Sequence, residues 1–113
     1  MQTNTEFENQ KLNTVLASES QGDAELARRL SGTTISAKRL FQKRIGCTVH
    51  TVTVTLPNGE VLKSKVVDGH GDFYLHTAAK LIGFEDGYIL SRAWPRLLGI
   101  EVEVTDVERK RDL

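Results

Sequence analysis

Apolar and polar residues alternate over "VHTVTVTL" (49–56) and "EVLKSKVV" (60–67), and the two runs flank "PNG". Period two with turn residues between is the pattern of half-buried paired strands. A three-residue loop of Pro57, Asn58 and Gly59 suits a type I turn closed by a left-handed glycine. The expectation is an antiparallel hairpin of about 48–56 and 60–67. In that register Leu56 faces Glu60, Val54 faces Leu62, Val52 faces Ser64 and His50 faces Val66. Thr51, Thr53 and Thr55 then share the opposite face with Val61, Lys63 and Lys65. A two-residue loop would set Lys63 and Lys65 against Val54 and Val52 and mix the faces, so the longer loop is favoured.

Elsewhere the apolar spacing lengthens to three and four. Phe7, Leu12, Val15 and Leu16 mark a first helix, which "ASESQGD" interrupts. Asp23 reads as the N-cap of "AELARRL" and Gly32 as its stop. Ser36 reads as the cap of "AKRLFQKRI", which ends at Gly46. On a helical wheel Ala37, Leu40, Phe41 and Ile45 share one arc and Lys38, Arg39, Gln42 and Lys43 the other, predicting an amphipathic helix with a basic outer face. Asp72 caps a predicted helix of about 73–82, whose buried arc is Leu75, Ala78, Ala79 and Ile82 and whose stop is Gly83. A further helix is predicted over about 87–98, carrying Ile89, Leu90, Ala93, Trp94, Leu97 and Leu98. Pro95 inside it predicts a kink or two short helices. "IEVEVTD" predicts a final strand of about 100–105, with Glu101 and Glu103 outward, where they neutralise Lys63 and Lys65 if it pairs beside the second hairpin strand.

These elements describe a small α+β domain over about 11–106. Residues 1–10 carry no apolar stripe and are expected to be disordered, and "VERKRDL" (107–113) reads as a flexible charged tail. Val52, Val54, Leu62, Val66, Val102 and Val104 should pack on Leu75, Ile82, Ile89, Trp94 and Leu97. The N-terminal helices either cover the other end or pack on a second copy.

Composition narrows the class. A chain of 113 residues, 39% hydrophobic and 27% charged, suits one globular domain. Cys47 is the only cysteine, which excludes an internal disulfide and a zinc site built on several thiolates. Without an apolar run of membrane-spanning length or a secretion signal, the chain is expected to be cytoplasmic, with no membrane partner. Net charge is zero but segregated. Arg28, Arg29, Lys38, Arg39, Lys43 and Arg44 fall in a stretch without an acid, whereas Glu101, Glu103, Asp106, Glu108 and Asp112 outnumber the bases of the C-terminal segment.

Two stretches resemble the helix-turn-helix motif. "HTAAKLIGFEDGYILSRAW" has alanine in a first helix, glycine at the turn and isoleucine six residues later, with Ala79, Gly83 and Ile89 in those places. Its second helix opens with Glu85 and Asp86, which repel phosphate, so two helices packed at a glycine corner are the simpler account. "ELARRLSGTTISAKRLFQKRI" resembles the motif in wording and carries the bases that the first lacks, but its turn is about two residues short.

No catalytic set assembles. Asp68, His70 and Asp72 in "DGHGD" alternate and are more simply a glycine turn than a metal site, and no metal or cofactor is expected. Cys47 and His50 fall on opposite faces of a strand, and no phosphate-cradling glycine loop occurs. The leading expectation is a small non-enzymatic nucleic-acid-binding protein, in the manner of a regulator. Arg28, Arg29, Lys38, Arg39, Lys43 and Arg44 would contact phosphate, with Lys63 and Lys65 in support. A protein-interaction module, adaptor or inhibitor, remains open beside it, as does pairing between copies.

Overall fold

The elements are helices α1 (Asn4–Ala17) and α2 (Gln21–Ala27), strands β1 (Thr34–Gln42), β2 (Cys47–Thr55), β3 (Val61–Lys63) and β4 (Val67–Asp68), helices α3 (Tyr74–Ile82) and α4 (Ile89–Arg92), and strand β5 (Glu101–Asp106). Short 3-10 turns occupy Pro95–Leu98 and Lys110–Asp112. This is a computed structural model, and it describes residues 4–93 and 95–113. The sheet order is β3-β2-β1-β5, with β4 also on β2. β1, β2 and β3 form an antiparallel meander, and β5 joins β1 in parallel. A parallel neighbour needs a crossover, which α3, α4 and the 3-10 turn at Pro95 supply. The expected α+β architecture is therefore present.

The hairpin keeps its expected register through Ser64. Val54 pairs with Leu62, the Leu56 amide donates to Glu60 at 2.8 Å, and the Ser64 amide donates to Val52 at 2.9 Å. Beyond that point His50 pairs with Val67 rather than Val66. One extra residue is accommodated where the Ser64 hydroxyl accepts the Val52 amide at 2.9 Å and donates to the Lys65 carbonyl at 2.8 Å. A side chain thus replaces a ladder bond at a bulge, and a simple alternation has no way to announce it.

The basic helix is corrected outright. Residues 34–42 are β1, paired along their whole length with β2 from Thr34–Thr55 to Gln42–Cys47. Ile35 and Ala37 are fully buried, whereas Phe41 and Ile45, half of the supposed apolar arc, are exposed. Gly46, read as a helix stop, instead closes the β1–β2 turn at φ 67, with its amide on Gln42 at 2.9 Å. A left-handed glycine serves either role. Pairing on both sides of β1 decides between them, because a central strand gains two ladders that a helix there would forgo.

One face of the sheet carries Ile35, Ala37, Val52 and Val54 into a core with Leu75, Ala78, Ala79, Phe84, Ile89 and Ile100. Leu16, Ala24, Ala27 and Leu30 complete that same core, so α1 and α2 pack within the chain rather than on a second copy. Leu62, Ile82 and Val104 lie at its margin. Val66 and Val102, expected inside, are 50% and 36% exposed, because both sit at the sheet's edges. Trp94 lies outside the described residues. So do residues 1–3 of the stretch expected to be disordered, whereas α1 begins at Asn4.

Helix capping differs in detail. Ser20, not Asp23, caps α2, accepting the Asp23 amide at 3.1 Å. Asp72 does not cap α3 through its side chain; its carbonyl accepts the Leu75 amide at 2.9 Å. Gly83 ends α3 at φ 111, its amide on Ala79, as the corner requires. Over 87–98 the helix divides at Pro95, as that residue predicts, into α4, a single turn, and the 3-10 turn.

Candidate nucleic-acid interface

The β1–β2 turn projects from the end of the sheet remote from α2. It exposes Phe41 by 58% and Ile45 by 66%, with Lys43 and Arg44 exposed between them. Large apolar side chains are normally withdrawn from water, and a cluster of them left out beside cations is the informative kind of surface. The turn borders a cleft of about 900 Å³, whose far wall is Asp106, Val107 and Glu108. No acidic residue occurs between Glu25 and Glu60, so the strands bearing this tip carry only positive charge.

The other predicted contacts are dispersed. Arg39 is engaged: its Nε donates to Asp106 at 3.0 Å, its Nη1 to the Gly71 carbonyl at 3.0 Å, and its guanidinium lies 5.9 Å from the centre of the Tyr74 ring. Arg28 and Arg29 follow α2, and Arg29 lines a groove with Pro57 and Asn58 at the opposite end of β1. At about 3.3 Å per residue, β1 separates them from Lys43 and Arg44 by roughly 27 Å. Lys38 lies mid-strand on the sheet face away from the core, opposite Thr51. Lys63 stands opposite Thr53 on that same face, and Leu113 of the C-terminal segment reaches the cleft between Lys38 and Lys63. Lys65 is exposed in the bulge and borders a second groove with Lys63, His76 and Lys80. Lys43 and Arg44 are the pair that the fold keeps together at one projecting tip.

Neither helix-turn-helix placement supplies a groove-reading helix. The second half of "ELARRLSGTTISAKRLFQKRI" is β1. At the Gly83 corner the second helix is α4, whose Ile89 and Leu90 are buried and whose Arg92 pairs with Glu19 and Asp86. That guanidinium holds the Asp86 carboxyl below its usual range.

His50, a candidate in the sequence only beside Cys47, is deeply buried. It is 1% exposed, with Nε2 2.6 Å from the Thr77 hydroxyl and Nδ1 3.4 Å from the Gly69 carbonyl. A carbonyl only accepts, so Nδ1 carries the proton and Nε2 accepts from Thr77. Burial pushes its pKa down, against a smaller opposing effect of the Gly69 carbonyl. His50, Phe73, His76 and Tyr88 form a chain of ring contacts, with Phe73 stacked on His76 at 4.7 Å. Such a histidine fastens β2 to α3, its two ring nitrogens engaged by Thr77 and the Gly69 carbonyl, and among the described residues no carboxylate orients it toward a nucleophile. Asp68, His70 and Asp72 occupy β4 and the glycine turn after it, and among the described residues no three His, Cys, Asp or Glu side chains converge on a metal position. Among the described residues no helix is long and apolar enough to cross a membrane.

Compared with family models, curated proteins and solved structures, the chain matches none of them.

Proposed function

We propose that this is a small non-enzymatic nucleic-acid-binding protein whose contact element is the β1–β2 tip rather than a helix. The observation that carries the reading is the exposure of Phe41 and Ile45 on either side of Lys43 and Arg44. Two-stranded ribbons enter duplex grooves, where cations take phosphates and apolar side chains wedge against base steps. The strands behind the tip add Lys38 and no acid, whereas Asp106 and Glu108 stand across the adjacent cleft, so phosphate is favoured at the turn itself.

Fluorescence anisotropy with a mixed-sequence DNA duplex tests this directly. Binding in the micromolar range at low salt should weaken steeply toward physiological salt. Replacing Lys43 and Arg44 by Gln should cost about tenfold and lower the slope of log K against log salt by about two, since each neutralised phosphate adds about 0.9 to that slope. The double variant Arg28→Gln, Arg29→Gln should bind like the parent, because that pair lies at the other end of β1. Equal losses in both variants would mean that net charge, not the tip, drives binding. No binding at low salt would remove the nucleic-acid reading.

The same apolar exposure favours one second reading, a protein partner seated on Phe41 and Ile45. It predicts salt-tolerant binding that Phe41→Ser abolishes and Lys43→Gln leaves nearly intact.

A further inference from the structure

The sheet has two open edges of opposite charge. β5 pairs only with β1 among the described residues. The Glu101 amide donates to Thr33 and the Val107 amide to Arg39, so the odd-numbered residues of this parallel strand serve β1. The amides and carbonyls of Val102, Val104 and Asp106 consequently point outward, along an edge no described strand covers. Glu101 and Glu103 flank that edge on the sheet face away from the core, opposite Thr34 and Ser36. At the other end of the sheet, Leu62 and Ser64 face β2, which turns the backbone of Val61 and Lys63 outward. Lys63 lies on the same sheet face as the glutamates, and Lys65 follows it in the bulge. Both edges also leave valines exposed: Val61 by 51%, Val66 by 50% and Val102 by 36%.

Within one chain these charges cannot meet, because β2 and β1 stand between them. The pairing on which neutralisation of Lys63 and Lys65 by Glu101 and Glu103 is conditional therefore does not form within the chain. Between chains the charges can meet. β3 and β5 both run parallel to β1, so a second copy displaced along the hydrogen-bonding direction lays its β3 beside β5 with helices on the same side. Its Lys63 then lies level with Glu103 on the sheet face that both share, with Glu101 two residues away. A self-pairing of two β5 strands would instead bring glutamates together.

We propose that copies of this chain associate head to tail, the acidic β5 edge of one against the basic β3 edge of the next. Such an interface is heterologous, so each added copy presents a fresh edge, and assembly continues until it closes into a ring or is diluted away. The proposal is independent of the nucleic-acid reading.

Sedimentation equilibrium over rising concentration, without nucleic acid, is the test. The weight-average mass of the 12.6 kDa chain should climb beyond that of a dimer and fall back in high salt. Val104→Pro removes an outward amide without touching the β1 ladder and should arrest growth. The double variant Lys63→Glu, Lys65→Glu, with parental circular dichroism, should arrest it from the other edge. Mixed, the two arrested variants should form a one-to-one pair that does not grow, since one retains the basic edge and the other the acidic edge. A chain monomeric at every concentration would overturn the proposal. So would association that survives both variants, or a mixture that forms no pair.

Discussion

Asp23→Ala should lower the unfolding free energy by about 3 kcal/mol. Asp23 is 3% exposed, and its two carboxyl oxygens accept the amides of Glu85 at 2.9 Å and Asp86 at 3.0 Å. These bonds tie α2 to the loop between α3 and α4, which lies far along the chain. Alanine leaves both amides, in partly buried bonds, without their acceptor, and bonds to a carboxylate are worth about 1.5–3 kcal/mol each without being additive. Asp23→Asn should recover little, because its amide nitrogen would face one of the two N–H groups it must satisfy. In urea the midpoint should fall by about 2 M with the slope unchanged, given a slope of about 1.5 kcal/mol/M for a domain of this size. A loss under about 1 kcal/mol would show that Phe84 and Ile89 hold the loop by packing alone.

His50 should make the fold acid-sensitive in the range where carboxylates do not yet titrate. Its folded pKa lies below the ordinary 6.5 because burial disfavours the charged ring. As pH falls past that ordinary value the unfolded chain takes up a proton that the folded chain resists, so the unfolded state binds more protons and stability declines. Its contribution is full above the ordinary value and is lost progressively down to the depressed one. Arg39, its cross-strand neighbour, gives the charged ring no help. Urea midpoints measured between about pH 7.5 and pH 5.5 should fall in the parent, and His50→Gln should lose that component. At neutral pH His50→Ala should cost about 2–4 kcal/mol, from the cavity and from the Thr77 hydroxyl left without its partner. A parent midpoint flat over that range would mean that protonation is accommodated without loss, with Nε2 donating to Thr77.

The uneven legibility of this chain follows from how far apart the deciding residues lie. Pro57, Asn58 and Gly59 specify a turn within a few residues, and the alternation on either side is strong enough to set Val54 against Leu62. The α3 helix and its Gly83 stop are equally local. The stretch from Ile35 to Ile45 carries two periods at once, since Ala37, Leu40, Phe41 and Ile45 fit a helical arc while Ile35 and Ala37 fit a strand face. The six bases look like one patch only under the helical reading. As a strand and turn, the segment engages Arg39 with Asp106, sets Lys38 on the outer face of the sheet, and leaves Lys43 and Arg44 at the tip.

By itself the sequence determined a single α+β chain without disulfides, the turn at Pro57–Gly59, the helix before Gly83, and a segregation of charge between its halves. All of these rest on composition or on contacts within about ten residues. Only the tertiary structure decided that residues 34–42 are the central strand, that β5 joins it in parallel, and that Glu101 and Glu103 stand at the opposite edge of the sheet from Lys63. A short apolar segment carries nearly equal helix and strand preference. Its choice is made by the ladder partners that the rest of the chain brings to it, and those lie too far along the sequence for local pattern to name.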